Sequence, residues 1–218
     1  MPRKETLAAI TPNRYYTLEA KLKYVHETEG CTTAIIEQEN TQRKIKFPQV
    51  GMELQEGAQY AFEKCFYSRN GWLTLKELDK LRQLEPRETE SLPLGVVYEK
   101  RFELNSNYLS TLLQVVEVMP VEVKVKDEQE LRLTRFRGWA DDSLVDVTLW
   151  NTELPLNAVG QWVQLDGVRL KLLTSQSIVL TSTVYTRITP LEEGPGQNYD
   201  PNIEYTSLSK VYQERSIA

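Results

Sequence analysis

The stretch Ser143-Leu-Val-Asp-Val-Thr-Leu-Trp150 decides how this chain reads. Its alternation predicts a β-strand, because successive side chains of a strand point to opposite faces. Val145, Val147 and Leu149 form the core side; Asp146, Thr148 and Trp150 form the other. A large flat ring thus stands beside polar groups instead of among aliphatics. That suits a surface that stacks a planar group, a nucleic-acid base above all. A tryptophan closing one end of a barrel is the other reading.

Working outward, residues 131–139 form the strand before it, joined by the turn Ala140-Asp-Asp-Ser143. Residues 112–126 form a long strand bent at Pro120, with Val121, Val123 and Val125 alternating against Glu122, Lys124 and Lys126; residues 104–110 form a short helical lead-in. After Trp150, a connection containing Pro155 and Gly160 leads to strands at 161–171 and 177–187. The first half repeats this order. Leu18, Ala20, Leu22 and Tyr24 alternate with Glu19, Lys21 and Lys23. Strands at 31–37, 43–47 and 60–67 follow, and Pro48, Gly51 and Gly57 leave little room for a long helix. Ser68-Arg-Asn-Gly71 is a hairpin turn leading to residues 72–76. Leu75, Leu78, Leu81 and Leu84 suggest a short helix or a fraying strand end, and residues 85–93, rich in Pro, Glu, Thr and Ser, read as a linker.

Five short strands, a long first strand and little helix are the plan of an all-β, five-stranded Greek-key barrel, the OB-fold, and two copies explain the length. A nine- or ten-strand sandwich is the alternative, opposed by the central break. The expected organisation is an N-terminal tail 1–14, a first barrel 15–84, a linker 85–99, a second barrel 100–192 and a C-terminal tail 193–218. Flexibility is expected from Gly194, then a short helix through Ile203, Leu208, Val211 and Tyr212.

The second half resembles the DNA-binding barrels of the replication protein A large subunit. The residues that carry the resemblance are Leu144-Val-Asp-Val-Thr-Leu-Trp150, Gly160-Gln-Trp-Val-Gln-Leu-Asp-Gly-Val168, Ser177-Ile-Val-Leu180 and the lead-in Arg101-Phe-Glu-Leu104. The resemblance covers about residues 100–190; in the first half it is one of strand order. It implies tandem OB-folds that bind single-stranded DNA without strict sequence requirement, stacking bases on aromatics of the third strand and of the loop between strands four and five. Trp150 matches the third-strand aromatic, and Phe47, ending Lys44-Ile-Lys-Phe, is its first-barrel counterpart. The loop aromatic would be Phe66, Tyr67 or Trp72. The second barrel departs from the pattern, because Arg169-Leu-Lys-Leu-Leu-Thr174 has no aromatic and leaves a cation such as Lys171 in that place.

The residues themselves suggest further contacts. Phe66-Tyr-Ser-Arg-Asn-Gly-Trp72 interleaves rings with a cation, so Arg69 and Trp72 are expected to meet a phosphate and a base, with Phe66 in the core. Lys44 and Lys46 share one strand face, suited to backbone phosphates or simply to solvent. Arg132-Leu-Thr-Arg-Phe-Arg-Gly-Trp139 is the most basic aromatic strand. With Leu131 and Leu133 taken as inward, Arg132, Thr134 and Phe136 point outward until a bulge near Gly138 resets the phase. Arg135 and Arg137 then fall awkwardly on the leucine side, although Arg135, Phe136, Arg137 and Trp139 all remain candidates beside Trp150 and Thr148.

Composition bounds the rest. The 218 residues are 40% hydrophobic and 26% charged, as in ordinary globular domains. No apolar run approaches the ~20 residues of a bilayer span, and the basic N-terminus is not followed by a signal-peptide hydrophobic stretch. A net charge of −5 opposes a general polyanion coat and directs attention to local basic faces. Cys31 and Cys65 read as reduced thiols, with a disulfide the second choice; His26, the single histidine, leaves a triad formally open. No nucleophile elbow, phosphate loop or metal-ligand spacing is present, so no catalysis, metal or cofactor is expected. The expected activity is single-stranded DNA binding in replication, repair, recombination or telomere maintenance, in a nucleus, a nucleoid or a viral replication site. Partner proteins are expected on the C-terminal tail, and no membrane is. The alternatives are a protein-interaction subunit of a larger complex and an RNA-binding module.

Overall fold

The computed structural model describes residues 5–48, 54–85, 91–126, 129–155 and 157–209. The chain divides between residues 90 and 91 into two compact units.

The first unit contains β1 (Arg14–Thr28), β2 (Cys31–Gln38), β3 (Thr41–Pro48), β4 (Gln59–Tyr67), β5 (Trp72–Thr74) and β6 (Leu81–Glu85). The strands follow the order β1-β2-β3-β5-β4, and β4 pairs back with β1, closing the sheet into a ring. Only β3 and β5 run parallel; the other neighbours are antiparallel. Alternation explains what fills the ring. Leu18, Ala20 and Leu22 of β1 meet Ile45 and Phe47 of β3, Phe62 of β4 and Leu73 of β5 in one core. Burying a ring such as Phe47 contributes about 2–3 kcal/mol. Residues 5–13 are not loose: Leu7 and Ile10 are buried in the same core. The leucine-spaced segment after β5 forms a single 3-10 turn, Leu78–Lys80, and then β6, which adds to the outer edge of β4.

The second unit opens with α1 (Leu94–Glu99) and α2 (Arg101–Leu104), and Leu94 and Val97 anchor α1 in its core. Its strands are β7 (Tyr108–Val118), β8 (Glu122–Lys126), β9 (Gln129–Ala140), β10 (Ser143–Trp150), β11 (Trp162–Thr174), β12 (Ser177–Thr181), β13 (Arg187–Leu191) and β14 (Thr206–Ser207). The ring order is β7-β9-β10-β12-β11, closed by β11 on β7, with β10 and β12 parallel. This is the first unit's topology again, down to a sixth strand: β13 pairs with β11 as β6 does with β4. Both units are OB-fold barrels. The break at Met119-Pro120 separates β7 from β8, and both strands pair with the long β9.

Residues 194–209 do not form the flexible lead and helix expected of them. They lie against the second barrel's outside. Asn198 Oδ1 accepts from Trp162 Nε1 at 3.0 Å, and the Tyr199 amide donates to Gln114 Oε1 at 2.6 Å. β14 then pairs with the start of β10, and Leu208 enters the core. Val211 and Tyr212 lie outside the described residues.

Candidate nucleic-acid interface

In the first barrel, the residues that alternate with the core line one shallow cleft of about 710 Å3. Register brings them together. Tyr15 lies opposite Phe66, Phe66 opposite Thr74, Thr74 opposite Lys46, and Lys46 opposite Thr33, in one row across five strands. Trp72 sits one pair along, opposite Lys44, whose ammonium is 5.3 Å from the centre of the indole ring. The rings of Tyr15 and Phe66 are 5.2 Å apart and tilted by 53°. Tyr15 is 63% exposed. Phe66 and Trp72 are half-buried, while Lys46 and Lys76 are exposed at the cleft edge. Among the described residues, no carboxylate pairs with Lys44, Lys46 or Lys76. The cleft is therefore aromatic, hydroxyl-bearing and cationic.

The tip between β4 and β5 is held by a compact turn. The Ser68 hydroxyl donates to the Trp72 carbonyl at 2.8 Å and also contacts Asn70 Oδ1, and Gly71 takes φ +82°, open to glycine at little steric cost. Arg69 is exposed on this turn. Trp72 thus has a fixed backbone position, while Arg69 projects from the tip.

The second barrel carries a larger groove, of about 930 Å3. Asp146, Thr148 and Trp150 of β10 line it, with Val145, Val147 and Leu149 fully buried beneath, so the strand alternates as its sequence implies. Arg135 and Arg137 of β9 line it too. The register explains why: Arg135 pairs with Thr148 and Arg137 with Asp146, on the outer face, while Phe136 pairs with Val147 in the core. The inward reading of Leu133 reversed this strand. Leu133 is buried, but it lies opposite Trp150 on the groove side and no bulge interrupts the β9–β10 register. Lys171 is exposed along the same groove.

The electrostatics differ from those of the first barrel. Arg137 Nε donates to Asp146 Oδ1 at 3.0 Å and its Nη1 reaches Glu117 at 3.3 Å. Arg135 Nη1 meets Glu122 at 2.8 Å, and Arg132 Nη1 meets Glu153 at 3.0 Å. The ammonium of Lys124 is 5.9 Å from the Trp150 ring centre, and Trp150 is 36% exposed. Each exposed ion pair is worth only about 0–1 kcal/mol, yet a phosphate must compete with a carboxylate for every one of these guanidiniums.

Three expected contacts are corrected. Phe47 is 1% exposed because it shares its strand face with Ile45, opposite Lys44 and Lys46. Phe136 is fully buried for the reason given above. Trp139 has the outward register, pairing with Leu144 and Gln114, but the C-terminal segment roofs it: Tyr205 stands 5.6 Å and Tyr199 6.3 Å from its ring. Tyr67 packs partly against the first core, in register with buried Leu73. Two residues change place in the other direction. Phe66, expected in the core, faces the cleft, and Tyr15, which alternation along β1 places opposite Leu18 and Ala20, was not singled out from sequence.

Among the described residues no cluster of His, Cys, Asp and Glu is arranged to hold a metal, and no helix is long and apolar enough to cross a membrane.

No protein-family model matches the sequence. No curated protein matches it either. Similarity is found among solved structures. A chain of a replication protein A heterotrimer bound to single-stranded DNA aligns with a TM-score of 0.50 and 10% identity, over 94% of this chain and 57% of that one. This chain therefore spans little more than half the length of that relative. The p204 HINb domain aligns with a TM-score of 0.50 and 10% identity, over 84% of this chain and all of that one. At these identities the likeness is one of architecture.

Proposed function

We propose that this protein binds single-stranded nucleic acid, DNA in the first place, on the open outer face of its first barrel, with the second barrel's groove as a separate and weaker site. The observation that carries the reading is the cleft in which Tyr15, Phe66 and Trp72 stand beside Lys44, Lys46 and Lys76 with no carboxylate paired to those lysines among the described residues. Bases present a flat π-face whatever their identity, so aromatic platforms bind them without strict sequence preference, and ammonium groups meet the phosphates between. The architectural likeness to a replication protein A chain bound to single-stranded DNA supports the same reading. The activity is binding without catalysis, at a nucleus, a nucleoid or a viral replication site, in replication, repair, recombination or telomere maintenance.

The test is fluorescence anisotropy of a labelled oligo-dT at low salt. Trp72→Ala and Phe66→Ala are each expected to weaken binding by about 1–3 kcal/mol, roughly 5- to 150-fold in Kd. Trp150→Ala is expected to cost less. Absence of binding by the unaltered chain, or indifference to both first-barrel substitutions, overturns the assignment. A matched oligo-rU competitor decides between DNA and RNA.

One observation favours a second reading, in which the second barrel contacts protein. Arg132, Arg135 and Arg137 are already paired with Glu153, Glu122, Glu117 and Asp146. A stable protein complex from native extract, together with no oligonucleotide affinity, is the result that would favour it.

A further inference from the structure

At the end of the second barrel's sheet, β8 has β9 on one side and no strand on the other among the described residues. An unpaired edge presents a row of backbone donors and acceptors to any extended chain, and natural proteins usually blunt it with charge, proline or a bulge. Here the edge reads Val121-Glu122-Val123-Lys124-Val125, with no proline inside it. Val121, Val123 and Val125 are 50%, 59% and 72% exposed, so β-branched side chains that favour strands stand in solvent along one face.

We infer that this edge pairs with the same edge of a second copy, antiparallel and with its two-fold axis through Val123. The sequence is self-complementary in that register. Val121 falls opposite Val125 of the other copy, Glu122 opposite Lys124, Val123 opposite Val123, and the remaining two pairs repeat by symmetry. One face of the new ladder becomes a continuous valine ribbon; the other carries two cross-strand Glu–Lys pairs. Directly opposed β-branched residues and opposite charges both stabilise antiparallel pairs. A shift by one residue places valines against charges, so the register is specified. Lys124 opposes pairing with an arbitrary strand yet is matched by Glu122 when the partner is this chain. Glu122 now meets Arg135 at 2.8 Å and Lys124 at 3.8 Å, through side chains about half exposed, so re-pairing displaces only weak contacts.

The contact is isologous and closes as a dimer, so it does not propagate into fibres. Five residues a side bury less area than a standard stable interface, so the dimer is expected to form at high chain concentration and to dissociate on dilution.

Sedimentation velocity of the full chain across a concentration series tests this. The unaltered protein is expected to shift from monomer to dimer with rising concentration. Glu122→Lys alone and Lys124→Glu alone each set like charges opposite one another twice, and each is expected to weaken dimerisation at least tenfold. The double exchange, Glu122→Lys with Lys124→Glu, rebuilds both cross-strand pairs and is expected to restore it. Restoration is a result that misfolding or loss of the Arg135 contact does not produce. Val123→Glu, on the axis, is expected to leave monomer only. A chain monomeric at every concentration overturns the proposal and leaves the edge to an extended segment of some other protein; a dimer indifferent to the single exchanges overturns it by moving the interface elsewhere.

Discussion

A single residue, Lys64, decides which way the first barrel's cleft aromatic points. Counting in twos from Tyr60 and Phe62, both fully buried, puts Phe66 in the core as well. Lys64 instead adopts φ +55°, and the β1–β4 register slips between Tyr16 and Leu18. The extra residue advances the phase, so Cys65 goes inward and Phe66 outward. The same slip keeps the Lys64 ammonium exposed, where strict alternation would have buried it at a cost of several kcal/mol. The burial of Cys65 has a chemical consequence. Desolvation pushes its thiol from the ordinary 9.0 up to about 12, whereas Cys31 is half-buried at the start of β2. Titration with an aromatic disulfide reagent at pH 8 is expected to modify Cys31 in the native protein and Cys65 only after denaturation. The linkage has a definite sign: above pH 9.0 only the unfolded chain ionises this thiol, so its contribution to stability is complete below that pH and is lost as pH rises towards 12. Equal reaction of both native thiols at pH 8 would contradict the burial.

Among the elements, the C-terminal segment does most to change what its barrel offers. Gly194 sits so close to Trp162 that a methyl group there would strike the indole. Tyr199 and Tyr205 roof Trp139, and Leu208 is 3% exposed within the core. The Ser209 hydroxyl accepts from the Asp146 amide at 2.8 Å and donates to the Ile178 carbonyl at 2.7 Å, bridging β10 and β12. The segment is thus part of the barrel wall. Leu208→Ala is expected to destabilise the second barrel by about 2–4 kcal/mol, read from urea unfolding followed by tryptophan fluorescence. A change below about 0.5 kcal/mol would show that the segment is not anchored in this way.

Taken whole, the molecule carries two barrels of one topology and two electrostatic characters. The net charge is −5, yet the acids are distributed unevenly: they meet Arg132, Arg135 and Arg137 of the second barrel and, among the described residues, pair with none of Lys44, Lys46 and Lys76 of the first cleft. Affinity for single-stranded DNA is therefore expected to depend on salt weakly for a nucleic-acid-binding protein. If Lys44, Lys46 and Lys76 are the phosphate contacts, the slope of log K against log salt is about −2. Lys44→Gln with Lys46→Gln is expected to bring it to about −0.7. A slope several times steeper in the unaltered chain would mean that the arginines are released from their carboxylates and that the second groove binds phosphate as well.

Sequence alone determined whatever follows from local alternation and turn chemistry. The core faces of β1 and β10 were legible because Leu18, Ala20 and Leu22, and again Val145, Val147 and Leu149, repeat at a period of two without interruption. The tight turn at Asn70-Gly71 was legible because glycine there takes a positive φ. The tandem barrel plan followed from the repeated strand order. Tertiary structure decided what local pattern leaves degenerate. Leu133 is apolar yet lies on the groove side, because pairing with β10 and not its own hydropathy fixes the face of β9. Phe66 turned outward through one bulged residue. Trp139 has the register of a contact residue and is hidden by a segment some 60 positions later in the chain. For Leu133 and Trp139 the deciding partner lies elsewhere in the chain and burial depends on its arrival, whereas for Phe66 the deciding bulge is two residues away and shows only in the pairing of β4 with β1.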